Sequence, residues 1–286
     1  MTPTGAIADA FAAACRDELD APKPGNVHVF APGHGMTAAQ FTASADAASG
    51  PLCVPHRRVG ERILGAVEAT CAAIGINTNL GIILLCAPLA AAAELEAPLF
   101  RDAVARVLDG LDIGDADRAF AAIVRAAPAG LGRVDHDDVH APAKVTLKYA
   151  MAEAAHRDRV ARQYATVFAD VFDLGLPRYD AALTRWSDPK WGALAVYIAF
   201  LATAADSHVV RKHGALVANG VCRTALRFDA ALRSATDPAH LLPELLAWDA
   251  ALKAENVNPG TSADLTVATL FVRRLGAILP SARNSG

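Results

Sequence analysis

Aromatic residues are scarce in this chain, 6% of 286, so aliphatic and small side chains must fill its interior. There is no basic excess: 27 Lys and Arg face 30 Asp and Glu, a formal net charge of -3. That balance offers no electrostatic footprint for nucleic acid and no polybasic anchor for a membrane, which leaves a small molecule as the expected partner. The five cysteines, Cys15, Cys53, Cys71, Cys86 and Cys222, contain no CxxC pair. Their odd number and apolar settings read as reduced thiols in a cytoplasmic protein rather than a disulfide framework. A Walker loop, a GxGxxG after a strand, an HExxH and a GxSxG are all missing, and the corresponding enzyme classes go with them. The most apolar runs, 82–95 and 191–205, fall short of the ~20 residues that span a bilayer and read as helices buried on all sides. The alanine-rich start, 1–19, has no basic n-region and is interrupted by Asp9, so it reads as a first helix rather than a signal peptide.

What the chain does have is helix. Hydrophobic residues make up 53%, alanine prominent among them, and strand alternation is scarcely visible. Apolar spacing and punctuation predict helices over 5–19, 37–49, 59–74, from near Leu80, 98–108, 115–126, 143–172, 177–186, 189–205, 215–232, 238–255 and 262–278. Thr37 with Gln40 is a capping-box pair, and Gly75 ends the 59–74 helix. With no internal repeat and no composition shift, the expectation is one compact all-α domain over 1–280, with 281–286 a frayed tail. Residues 21–36 carry Pro22, Pro24, Gly25, Pro32, Gly33 and Gly35 and must form a long loop, which in a compact domain is usually functional.

Five polar islands interrupt the helices. In Lys23-Pro24-Gly25-Asn26-Val27-His28 a stiff, sharply turned loop presents a cation, an amide and an imidazole; the plain alternative is a Pro-Gly turn beside a solvated lysine. Asn77, Thr78 and Asn79 lie between Gly75 and Gly81 at a helix start, where free N–H groups and the helix dipole favour an anion; one capping residue would be enough for structure alone. Glu68 sits one helix earlier. The third island, 206–214, follows a very apolar run: Asp206 is a candidate Mg²⁺ ligand, and Arg211 or Lys212 a phosphate contact. A helix C-terminus explains Arg211, Lys212 and His213 but not Asp206. The fourth, 256–264, turns at Pro259-Gly260, has Thr261 or Ser262 as the cap of the last helix, and carries Asp264, which is equally a helix-start acid. The fifth, 135–140, holds two histidines and three aspartates without a zinc spacing and reads best as a solvated acidic loop.

In order along the chain, KPGNVH, GINTNLG, DSHVVRKHG and NPGTSADL resemble the triphosphoribosyl-dephospho-CoA synthase family over nearly the whole chain. The resemblance implies an all-α enzyme that joins ATP to 3′-dephospho-CoA and expels adenine, with Mg²⁺ and a phosphate-rich site. Lys23, Gly25 and Asn26 match the family's KPG loop, and Asn77, Thr78 and Gly81 its NTxxG turn. Asp206 and Arg211 match its DxxxxR segment, and Pro259, Gly260 and Asp264 its PGxxAD segment. One departure stands out: the synthases that make the lyase prosthetic-group precursor look like NTHKG where this chain has Asn79-Leu80. The His34-Gly35-Met36 stretch also lacks an aspartate before its methionine. In both respects the chain is similar to a divergent branch found among archaea and methylotrophs.

The sequence therefore carries three readings. The first is an Mg-dependent transferase using ATP or a related phosphoribosyl donor. In it Asp206, Asp264 and Glu68 stabilise a developing ribosyl cation, and Asp206 and Asp264 hold the metal. Lys23, Gly25, Asn26, His28, Asn77, Thr78, Asn79, Gly81, Arg211 and Gly260 bind the nucleotide. The second keeps the pocket but places the reaction in the synthesis of a one-carbon cofactor, tetrahydromethanopterin or methylofuran. The third is a catalytically silent nucleotide- or cofactor-binding protein. A homodimer is left open.

Overall fold

The computed structural model describes residues 4–127 and 139–279, and among them the secondary structure is helical, with two isolated bridges, His28 to Ala31 and Gly33 to Met36, in the long loop. Most of the acidic island at 135–140, and the tail 281–286, lie outside the described residues. The helices are α1 (Thr4–Leu19), α2 (Ala38–Leu52), α3 (Val59–Ile74), α4 (Leu80–Ala92), α5 (Phe100–Asp109), α6 (Ile113–Ala126) and α7 (Leu147–Ala154). They continue as α8 (Arg159–Ala165), α9 (Leu176–Trp186), α10 (Pro189–Thr203), α11 (Ser207–Ser234), α12 (Leu242–Ala254) and α13 (Gly260–Ile278).

Helices α4 and α10 are apolar on every face, so neither has a side that gains from facing water, and both sit at the centre. Helix α13 packs beside both and against α1, while the more amphipathic α5, α6 and α9 present one apolar stripe inwards. With so few aromatic residues, small side chains let the helices approach closely; Phe11 and Phe271 meet edge-on where α1 crosses α13. No single helix among the described residues is long and apolar enough to cross a membrane.

The helix starts follow the expected chemistry. Thr37 and Gln40 form the capping box of α2, and Gly75 ends α3 in the left-handed region at φ 77°. Two expectations are corrected. The single helix over 143–172 is broken: Asp158 caps a fresh helix, α8, and a wider turn at Asp170–Gly175 leads into α9. Asp170 collects Arg159, Arg162 and Gln163; burial alone would raise its pKa, but the two arginines hold it down at about 2. The second correction concerns Asp206, which the apolar run before it places at the end of a helix. The chain turns extended at Ala204, and Asp206 is the N-cap of α11. An acid is favoured there, since it accepts the orphan N–H groups and faces the positive end of the dipole.

Asp206 is 1% exposed and fully engaged. Its Oδ1 accepts from the N–H groups of His208 (3.0 Å) and Val209 (3.2 Å), and its Oδ2 from the N–H (2.7 Å) and hydroxyl (2.8 Å) of Ser262 in the first turn of α13. One carboxylate thus clamps two helix starts. Replacing Asp206 with Ala should cost about 3 kcal/mol of stability, the combined loss of a cap and of buried charge-assisted bonds. Asp206→Asn, which keeps one acceptor oxygen, should cost less. Urea unfolding of the three proteins checks the order.

Candidate active site

The loop over residues 21–36 is held from beneath. Lys23 is 0% exposed, ion-paired to Glu18 of α1 and donating to Asn26 Oδ1 at 3.1 Å. Asn26 donates in turn to Asn258 Oδ1 at 2.8 Å. Gly25, at φ +80°, donates its N–H to Asp249 Oδ1 at 2.8 Å and accepts from His34 Nε2 at 2.7 Å. A Cβ at Gly25 would lie 2.9 Å from both Leu252 and Pro259, so the loop touches α12 and the start of α13 too closely for any side chain. Asp249, Lys253 and His28 form a buried cluster behind it, with His28 Nε2 3.3 Å from Asp249 Oδ2.

Several expected ligand contacts are thereby corrected. Lys23 is not a solvated phosphate contact: burial pushes its pKa down, Glu18 pulls it back up, and the pair anchors the loop. His28 is 1% exposed and serves the cluster with Asp249. Asn79 is buried, donating to Thr70 Oγ1 at 3.2 Å and Ser44 O at 3.4 Å, so it binds α4 to α2 and α3. Glu68 is exposed on α3 and does not line the cavity. Thr261 and Ser262 are not caps of the last helix, which already starts at Gly260.

The remaining expected residues do converge. A cavity of about 1040 Å³ is lined by Asn26 of the loop and by Asn77, Thr78 and Gly81 of the α3–α4 turn. Arg211 of α11 and Gly260 and Asp264 of α13 complete that part of the wall. Asn77 accepts the Leu80 N–H at 3.1 Å and so satisfies the first N–H of α4, whose N-cap is Asn79. The first turns of α4, α11 and α13 all border the cavity, which directs the positive ends of three dipoles at it. Lys212 brings an exposed cation to the rim, and Arg211 lies 3.7 Å from Asp158.

Asp264 is the most telling group. It is half-buried, and no hydrogen bond or ion pair satisfies it among the described residues. Desolvation, then the carboxylates of Asp206, Glu18 and Asp158, push its pKa well above the ordinary value, with Lys23 only partly offsetting them. Space for it exists only because residue 81 is glycine: a Cβ there would lie 2.0 Å from Asp264 Oδ2. A buried carboxylate without a paired cation is costly, so its place in the cavity wall calls for an explanation beyond packing.

Sequence reasoning missed several wall residues. His208 packs so tightly on Gly260 that a Cβ there would meet its Nδ1 at 2.4 Å. Burial, then Arg211, Lys212 and neighbouring histidines, push the His208 pKa down to about 4, so its ring is neutral near pH 7. His34, at φ 55°, also lines the cavity, with Nδ1 2.9 Å from Asn256 Oδ1. Asp158 enters through the break between α7 and α8. Nothing in the pattern marked that break, because both flanks read as one continuous helix.

The architecture is of the all-helical class, with a cavity bordered by the starts of three helices. Within that class, a family model described as ATP:dephospho-CoA triphosphoribosyl transferase (CitG) matches residues 4–282, and the chain belongs to this family. A crystal structure of an Archaeoglobus fulgidus protein, provisionally described as a triphosphoribosyl-dephospho-CoA synthase, shares the fold at TM-score 0.63. It has 22% sequence identity, and the match covers 82% of this chain and 97% of that one. No curated protein matches.

Gly81→Ala should drive the Asp264 carboxylate out of position while leaving helix α4 intact, since alanine is the better helix former. The expected result is unchanged helicity by circular dichroism with loss of ligand binding by calorimetry.

Proposed function

We propose that this transferase takes ATP or a closely related triphosphorylated ribosyl donor and moves the phosphoribosyl group onto an acceptor in the same cavity. The observation that carries the reading is the unpartnered Asp264 carboxylate held against Gly81, where four sequence-distant segments meet. Lys212, Arg211 and the free N–H of Gly81 are the groups for the donor's phosphates. In the reaction the ribosyl–base bond breaks, the base departs with the bonding pair and gains a proton, and an acceptor hydroxyl oxygen bonds to the same carbon and loses one. Positive charge grows on the sugar during that exchange, and Asp264 is the carboxylate available to stabilise it. His208, held neutral, is suited to hydrogen-bond the departing base or the attacking hydroxyl.

Mg²⁺ fits this chemistry through one carboxylate. The described residues contain no group of three His, Cys, Asp or Glu that makes an all-protein cage. Mg²⁺ is commonly held by one or two carboxylates, substrate phosphates and water, and Asp264 would hold it here. When bound it would neutralise phosphate charge. Asp206, with both oxygens occupied, drops out as a ligand and as a catalytic group.

Leu80 favours a second reading of the acceptor. It lies in the cavity wall, and an apolar side chain there suits an acceptor other than dephospho-CoA, such as an intermediate of tetrahydromethanopterin or methylofuran synthesis. A silent binding protein, by contrast, would bind nucleotide tightly without turnover.

Purified protein with ATP, Mg²⁺ and dephospho-CoA should release adenine, detected chromatographically, and Asp264→Asn should slow release by about 10²-fold or more. The absence of both adenine release and nucleotide binding would remove the reading. A pH test is independent of the acceptor. Because the folded-state pKa of Asp264 is raised, its contribution to stability is fully present below the ordinary value of 3.8 and is lost as pH rises through the folded value. Without ligand, Asp264→Asn should therefore melt higher than the wild type at pH 8, with the gap narrowing at pH 5. Calorimetric melting curves at the two pH values check this.

A further inference from the structure

The donor end of the cavity, at α11, α13 and Gly81, accounts for only part of its wall. The rest is built by α4, α6 and α7 and has a different character. Leu80, Leu84, Phe120, Ile123 and Met151 form an apolar face. Two arginines stand beside it: Arg125 in the last turn of α6, and Arg157 in the break between α7 and α8. Both are exposed, and no hydrogen bond or ion pair occupies either guanidinium among the described residues. Glu153 is the acid on that side. The next residue after Arg157, Asp158, uses Oδ1 to cap α8 and has Oδ2 3.7 Å from Arg211. The break thus gives Arg157 to one side of the wall and a partner for Arg211 to the other.

An apolar face next to uncommitted guanidinium groups suits an anionic molecule with a ring or chain body. The body displaces water from the apolar wall, and the planar forks grip a phosphate or carboxylate. A volume of about 1040 Å³ lies at the upper end of the usual range for a small-ligand pocket, which leaves room beside the donor end. We infer that the α4–α6–α7 side is a separate acceptor subsite. It takes an organic anion whose apolar ring rests on Phe120, Ile123 and Met151 and whose anionic group is held by Arg125 and Arg157. The inference deepens the transferase reading above and rests on it for the word acceptor; the subsite itself is tested without turnover.

The probe is 1-naphthyl phosphate, titrated calorimetrically into the full chain with and without ATP. Both should bind at once, each leaving the other's Kd within about twofold. Arg125→Gln and Arg157→Gln should each weaken naphthyl phosphate roughly tenfold, as expected for one charge-assisted contact, and leave ATP binding unchanged. Ile123→Asp, which puts a carboxylate into the apolar wall, should weaken the probe as well. Melting curves of the variants establish that they fold. Mutual displacement of probe and ATP, failure of the probe to bind, or equal probe affinity in wild type and both arginine variants would overturn the inference. If ATP does not bind while the probe and variants behave as described, the subsite stands and the donor assignment falls.

Discussion

The bond set around Asp206 is the constraint on which the site depends. A carboxylate buried to 1% exposure is costly, and it is tolerated because four donors, from His208, Val209 and Ser262, meet its two oxygens. Two of those donors open α11 and two belong to the first turn of α13. The same bonds that satisfy the charge therefore set the angle between two helix starts. His208 against Gly260, and Asp264 one turn further along α13, take their places from that angle. Tyr197 adds a second tie, donating to Pro24 O at 2.7 Å, so central helix α10 also fixes the proline-glycine loop.

The site divides its charges into those that build and those that wait. Lys23, Glu18, Asp249 and His28 are buried and paired with one another, and their pairing makes the loop rigid. Asp249 shows the energetics: burial would raise its pKa, but His28, Lys253 and the Gly25 N–H hold it below the ordinary value. Asp264 is the opposite case, a carboxylate with its pKa driven upwards, only partly offset by Lys23, and with no ion pair among the described residues. A rigid frame around an unsatisfied group is the arrangement that electrostatic preorganisation requires, because the frame does not have to reorganise when charge develops.

Much of the fold was legible. The α2 capping box, the Gly75 stop and the apolar all-round character of α4 and α10 are local signals, and each appears where the residues put it. The break at Asp158 was not legible, because Ala154 and Val160 continue the apolar spacing of one helix and only the capping bonds reveal the interruption. Asp206 was misread for a related reason. An acid after an apolar run looks like a misplaced helix end until the extended backbone at Ala204 shows that a new helix begins. In the site, four of the polar islands border the cavity, but the pattern did not show which of their side chains face it. In the first island Asn26 lines the cavity while Lys23 is buried beneath it, and in the second Asn77 and Thr78 line it while Asn79 packs inward.

By itself the sequence determined an all-helical body, since its composition and 3.6-residue periodicity leave no other way to bury the apolar surface. It also marked the four segments that border the cavity, because glycine, proline and amide clusters interrupt helices. Only the tertiary structure decided which charged side chains are spent on holding the frame and which remain for a ligand. Pairing depends on partners such as Asp249 for Gly25 and Ser262 for Asp206, which are distant in sequence and carry no mark of their role until the helices meet.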